Sequence, residues 1–174
     1  MKIKPVIGFL AVAAAIIVAT PLTALAPAVD NSHLTEAEVA LLDSDTPIRV
    51  TIDDETGLPT SVQVLPDSLA AALEESESSN PSARTAYPNC SNVRGCWYGV
   101  ALPSGPPSAS VGFSHGITAG TWNNRGNFWV TSGAKAKLCW GSSSQCTDRH
   151  YGPSVLIELG GNVVGTKVDI VLVA

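Results

Sequence analysis

Apolar and polar positions alternate in two separate stretches of the chain. In the first, Ile48, Val50 and Ile52 are interleaved with Arg49 and Thr51, which predicts a strand. Val62 and Val64 predict a second strand, and residues 53–57 between them predict a turn in which Gly57 is free to take positive φ. Thr35 and Glu38 stand at capping-box spacing ahead of a short helix through about Leu42. Pro66 stops the second strand, and Asp67 or Ser68 is placed to cap a helix from Leu69 to Glu75. Residues 29–73 are thus expected to form a small αββα segment. It has no aromatic residue and no cysteine, and a unit of that size buries little surface alone. Residues 74–86 are polar and low in complexity, and are expected to be a flexible linker.

The second stretch begins after residue 86. Tyr98, Val100 and Leu102 share one face, as do Val111 with Phe113, and Phe128 with Val130. Ala136, Leu138 and Trp140 oppose Lys135 and Lys137, and Val155, Ile157 and Leu159 continue the pattern. In the last run Val164, Val168, Ile170 and Leu172 are expected inside, with Lys167 and Asp169 outside. Gly and Pro breaks recur about every 10–12 residues, among them Pro103–Pro107, Gly116, Gly133 and Gly160–Asn162. The expectation for residues 87–174 is mainly β, a small antiparallel sandwich or barrel of about six to eight strands with no helix, in which Gly160–Asn162 turns the last hairpin.

The extreme N-terminus has a different pattern. Lys2 and Lys4 precede an unbroken apolar run over residues 6–19, and Ala26-Pro27-Ala28 offers small residues for cleavage. Residues 1–28 are expected to be a signal peptide cleaved after Ala28, and the protein to be secreted. Nothing after it is apolar enough to span a membrane.

Charge is divided unevenly. Residues 29–84 carry twelve acids against Arg49 and Arg84, a net of −10, whereas residues 85–174 carry six bases against Asp148, Glu158 and Asp169, a net of +3. With two lysines at the N-terminus the total returns to −5. Such an asymmetry bears on partners rather than on fold. The acidic part is expected to neutralise the basic part, either as a pro-region released in the linker, where Arg84 is the one basic residue, or as a permanent stalk.

The four cysteines, Cys90, Cys96, Cys139 and Cys146, lie in the β module of an exported chain and are expected to form disulfides. Sequential pairing, Cys90–Cys96 and Cys139–Cys146, is the expectation, with Cys139 on the lysine face of its strand. Their spacings are not those of a zinc finger or ribbon, and no metal or other cofactor is expected.

Gly112-Phe-Ser-His-Gly116 fits the Gly-x-Ser-x-Gly pattern of a hydrolase nucleophile elbow. That device works only on a strand–turn–helix corner, and the residues that follow, Ile117 to Trp122, are β-like and broken by glycine. Asp148 and His150 stand only two apart, too close to act as orienter and base of a triad. His115, Asp148 and His150 are a thin set for a metal or acid–base site, and three acids are few for glycosidase chemistry. The chain is therefore expected not to be an enzyme.

The aromatics carry the remaining signal. Trp97 opposes Tyr98 and Val100, and Trp129 opposes Phe128 and Val130, so each is a candidate for exposure. With Arg94, Arg125, Lys135 and Lys137 they make a candidate binding set for a glycan or an anionic envelope surface. The basic charge is too modest for nucleic acid. The leading functional expectation is a secreted antimicrobial, bacteriocin-like effector, made as a precursor with an acidic pro-segment and acting on the bacterial cell envelope. The alternatives are a cell-wall or polysaccharide-binding β-sandwich module and a protein-binding inhibitor.

Overall fold

A computed structural model of the chain describes residues 31–78, 90, 93–100, 109–143 and 145–173. The expected signal peptide, most of the expected linker and the Pro103–Pro107 break lie outside the described residues.

The N-terminal elements form where the pattern places them. Helix α1 (Glu36–Leu42) opens on a full capping box: the Glu38 amide donates to the Thr35 hydroxyl and the Thr35 amide to the Glu38 carboxylate. Strands β1 (Ile48–Ile52) and β2 (Pro59–Val64) pair antiparallel, with Val50 opposite Val62. Gly57 turns between them at φ 74°. Helix α2 runs Asp67–Ser78, so Asp67 opens the helix rather than capping it, and the Pro66 carbonyl accepts from Leu69 and Ala70. Its C-terminal turn extends into the stretch expected as linker. Glu74 secures it by accepting from the Ser132 amide at 2.7 Å.

Six more strands follow: β3 (Gly95–Gly99), β4 (Val111–Phe113), β5 (Gly116–Val130), β6 (Ala134–Trp140), β7 (Gln145–Cys146) and β8 (Val155–Leu172). Among the described residues no helix follows α2. All eight strands join one sheet in the order β2-β1-β8-β5-β3-β4, with β6 also on β8 and β7 on β6. The sheet is mixed and is not a closed barrel. Among the described strands of residues 87–174 every ladder is antiparallel, as expected. The departure is that β1 of the N-terminal segment joins the same sheet and runs parallel to β8, from Ile48 opposite Val155 to Ile52 opposite Leu159. The acidic segment is thereby built into the sheet of the basic module.

Strand β8 is the spine. Its first half has β1 on one edge, its second half has β6 on that same edge, and β5 follows the other edge from Val130 to Gly116. The predicted hairpin at Gly160–Asn162 is absent; these residues continue β8. Asn127 faces Glu158 and Arg125 faces Val163, so β5 pairs on both sides of the glycines. The glycines admit the β1–β2 turn instead: a side chain at Gly161 would stand 3.1 Å from the Asp54 carboxylate. Register shifts between β5 and β8 exchange the inward-facing positions along β8. Val163 is thus buried and Val164, expected inside, is 40% exposed. Val168 and Ile170 are buried as expected, and Leu172, on their face at the end of β8, is 54% exposed.

Both faces of the first half of the sheet are buried. On the inner face Trp97, Phe128, Ile157, Val50 and Val62 lie in one cross-strand row, and all belong to the main core. The Trp97 and Phe128 rings meet edge-on at 5.8 Å, as do Phe113 and Trp122 at 5.0 Å. On the outer face Cys96, Trp129 and Leu156 form the neighbouring row, and Leu65 of the β2–α2 connection with Leu69, Ala70 and Leu73 of α2 packs over them. Disulfides join Cys90 to Cys96 and Cys139 to Cys146. The second clamps directly opposed residues of β6 and β7.

Candidate functional site

The six residues of the expected binding set are not brought together. Trp97 and Trp129 are both fully buried, Trp97 in the inner core and Trp129 beneath α2, so neither ring is free to stack on a ligand. The reason is the two-sided burial of this half of the sheet, which covers both faces of β3 at Cys96–Tyr98 and of β5 at Phe128–Val130. Arg125 is also interior, 5% exposed, and donates to the carbonyls of Trp97 at 3.2 Å and Ala109 at 2.7 Å. Burial lowers its pKa from the ordinary arginine value, but a guanidinium remains charged. Its role is to tie the chain before β4 to β3. Arg94 is exposed, beside Gly133 of the β5–β6 turn. Lys135 and Lys137 remain, both partly exposed.

Those two lysines belong to a larger grid. Residues directly opposite in adjacent strands point to the same face of a sheet. Val171 lies opposite Lys135. Asp169 lies opposite both Lys137 and Ile117, and Lys167 opposite both Cys139 and Ala119. The outer face of the β5–β8–β6 half therefore presents Lys135, Lys137 and Lys167 around a single acid, together with Ile117 and Val171, which are 70% and 42% exposed. The expected placement of Lys167 and Asp169 outside, and of Cys139 on the lysine face, holds.

Asp169 has a further neighbour in the β7–β8 connection. His150 Nε2 stands 3.2 Å from its carboxylate, an ion-pair contact when the imidazole is protonated, although it is not aligned as a hydrogen bond. Asp148 is engaged elsewhere: it accepts from the Tyr151 hydroxyl at 2.6 Å and from Arg149 Nε at 2.8 Å. The Arg149 guanidinium also reaches the Asn31 side chain. Asp148 and His150 thus serve two different partners and do not form the shared site considered from the sequence. His115 is exposed in the turn between β4 and β5. Among the described residues no group of three His, Cys, Asp or Glu side chains is arranged to hold a metal.

The Gly112–Gly116 pentapeptide joins β4 to β5, two strands, with Ser114 and His115 exposed. It lacks the helix that a nucleophile elbow requires. A shallow cavity of about 480 Å³ lies where Trp140, Gly141, Asn162, Val164 and Thr166 meet. Trp140 is 3% exposed and its indole N–H is committed to the Asp54 carbonyl at 2.8 Å, so the ring faces of this cavity are largely covered.

Among the described residues no helix is long and apolar enough to cross a membrane. Comparisons with protein-family models, with curated proteins and with solved structures give no match for this chain. The lysine grid is accordingly the surface from which a function is argued.

Proposed function

We propose that the protein is a secreted binding module that attaches to an anionic surface of the bacterial cell envelope, acting as one folded unit. The observation that carries this reading is the register of β6 and β8, which sets Lys135, Lys137 and Lys167 on one open sheet face around Asp169. A face with one sign of charge attracts and orients a partner of the other sign. Two disulfides support an oxidising compartment.

The precursor form of the antimicrobial reading requires the acidic segment to leave. The burial of Val50 and Ile157 against each other favours a segment that stays. Envelope attachment is common to both readings, and the lysine face supplies it without release. The glycan-stacking alternative through Trp97 and Trp129 has no open ring to use.

The test is cosedimentation of the chain from Val29, the start left by the expected cleavage after Ala28, with isolated bacterial envelopes over a salt series. Binding that weakens with salt, and is lost in the Lys135→Ala/Lys137→Ala/Lys167→Ala variant, is the expected result. Equal binding by the triple variant would overturn the reading. Growth inhibition by the 85–174 fragment, with none by the intact chain, would restore the precursor.

A further inference from the structure

We infer that the anionic surface is a lipid bilayer with acidic headgroups, and that Ile117 and Val171 enter its headgroup layer while the lysines meet its phosphates. This rests on the lysine face proposed above and names its partner. Three observations carry it. First, the charged and apolar side chains share one face by register rather than by proximity alone: Val171 beside Lys135, and Ile117 beside Asp169 and Lys137. Second, Ile117 opposes Asp169 and Val171 lies two residues further along β8, so the two aliphatics are diagonal neighbours. Ile117, at 70%, is more exposed than any other large apolar side chain among the described residues. Third, Ala119 beside Lys167 is small, so this end of the face has no bulky side chain to hold it off a planar surface.

The chemistry separates a bilayer from a soluble polyanion. A phosphate-bearing glycan pairs with the lysines and leaves Ile117 and Val171 in water. A bilayer uses both, because surface attachment grows with buried apolar area as well as with attraction to acidic lipid. Lysine stems also lie along an apolar boundary with their ammonium groups in water, which suits Lys135 and Lys167 at the edges of the patch. The one acid on the face lies opposite Lys137 and is outnumbered by the three lysines, so the face keeps a positive balance toward a headgroup phosphate.

The experiment is flotation of the chain from Val29 with vesicles of equimolar phosphatidylglycerol and phosphatidylcholine, against vesicles of phosphatidylcholine alone. Binding to a heparin column is measured in parallel as the soluble-polyanion arm. The expected result is partition onto the acidic vesicles only. Lys167→Ala should reduce it about fivefold and the triple alanine variant about a hundredfold, from the usual contribution of a lysine near an acidic membrane. Ile117→Ser with Val171→Thr should reduce vesicle partition by roughly three- to tenfold, from the lost apolar contact, while heparin retention stays unchanged. Both positions are exposed, and an unchanged melting temperature confirms that the variant folds. Equal vesicle partition by the Ile117/Val171 variant would overturn the lipid inference. So would heparin retention without vesicle binding, and in either case the anionic-surface reading survives. Binding to neither would overturn both.

Discussion

Val50 lies directly opposite Ile157 in the parallel ladder between β1 and β8, and both side chains are fully buried. The acidic segment and the basic module therefore share one core. Cleavage after Arg84 is expected to leave the two pieces associated, eluting together on a sizing column and parting only in denaturant. The isolated 85–174 fragment, which exposes Ile157 and Leu159 along a bare strand edge, should show no cooperative melting transition. In the intact chain Ile157→Ala should cost about 3 kcal/mol, read by chemical denaturation. A fragment that melts cooperatively on its own would refute this account.

Gly165 sits opposite both Trp122 on β5 and Trp140 on β6. A Cβ there would stand 2.6 and 2.7 Å from two ring carbons of Trp97, which is fully buried and has no room to retreat. Gly165→Ala should destabilise the fold by roughly 1–3 kcal/mol through overpacking. Tryptophan fluorescence should shift as the indole is displaced, and an unchanged melting temperature would contradict the packing described.

The Cys139–Cys146 disulfide closes a short loop, with a sequence separation of seven. The loop-entropy relation gives about 2.4 kcal/mol for such a closure. Cys139→Ser combined with Cys146→Ser should lower the melting temperature by several degrees, while α1, β1 and the lysine face keep their structure. Cys90→Ser combined with Cys96→Ser should act through a different contact, since Cys96 lies beside Trp129 under α2. Near-ultraviolet circular dichroism distinguishes them.

Burial raises the Tyr151 pKa well above its ordinary value of 10.0, reinforced by the hydroxyl's donation to Asp148. The folded state then holds a proton that the unfolded chain loses above pH 10. Stability from this group is complete below about pH 10 and falls above it, by about 1.4 kcal/mol per pH unit while only the unfolded tyrosine ionises. Denaturation between pH 8 and 11.5 should show this decline, and Tyr151→Phe should reduce its slope.

Glu38 has its pKa lowered, chiefly by the backbone hydrogen bond from Thr35 and then by that from Val62. Its contribution is present above the ordinary glutamate value of 4.5 and disappears as pH falls through the lowered folded value. Glu38→Gln should flatten the acid limb of the stability profile, and an identical limb in the variant would count against the capping box.

Period-two alternation made most strands legible before any coordinates. Ile48, Val50 and Ile52 point inward as the pattern requires, and the Thr35–Glu38 box begins α1. Partner choice was not legible. Nothing local to Ile48–Ile52 distinguishes a parallel neighbour from an antiparallel one, because that choice is made by β8, far along the chain. Gly160–Asn162 has turn composition, yet its glycines serve close approach of Asp54 instead.

The binding set was partly misplaced for a reason the sequence contains. Gly95–Tyr98 and Phe128–Val130 are apolar on both alternating faces, which marks strands covered on both sides. Reading Trp97 and Trp129 as outward ignored that continuity. Lys135 and Lys137 were visible as surface positions. Their combination with Lys167, Ile117 and Val171 depends on register, which emerges only when β5, β6 and β8 are side by side.

The spine strand also governs the order in which the molecule can form. β1 meets β8 across about a hundred residues of sequence, and β5 and β6 also require it. During synthesis β8 emerges after every other described element, so the nascent chain can make the β1–β2 and β3–β5 ladders but cannot close its core. Folding of such a long-range topology is slow, and it waits on the last strand rather than proceeding piece by piece. Truncation within β8 would thus leave neither half complete.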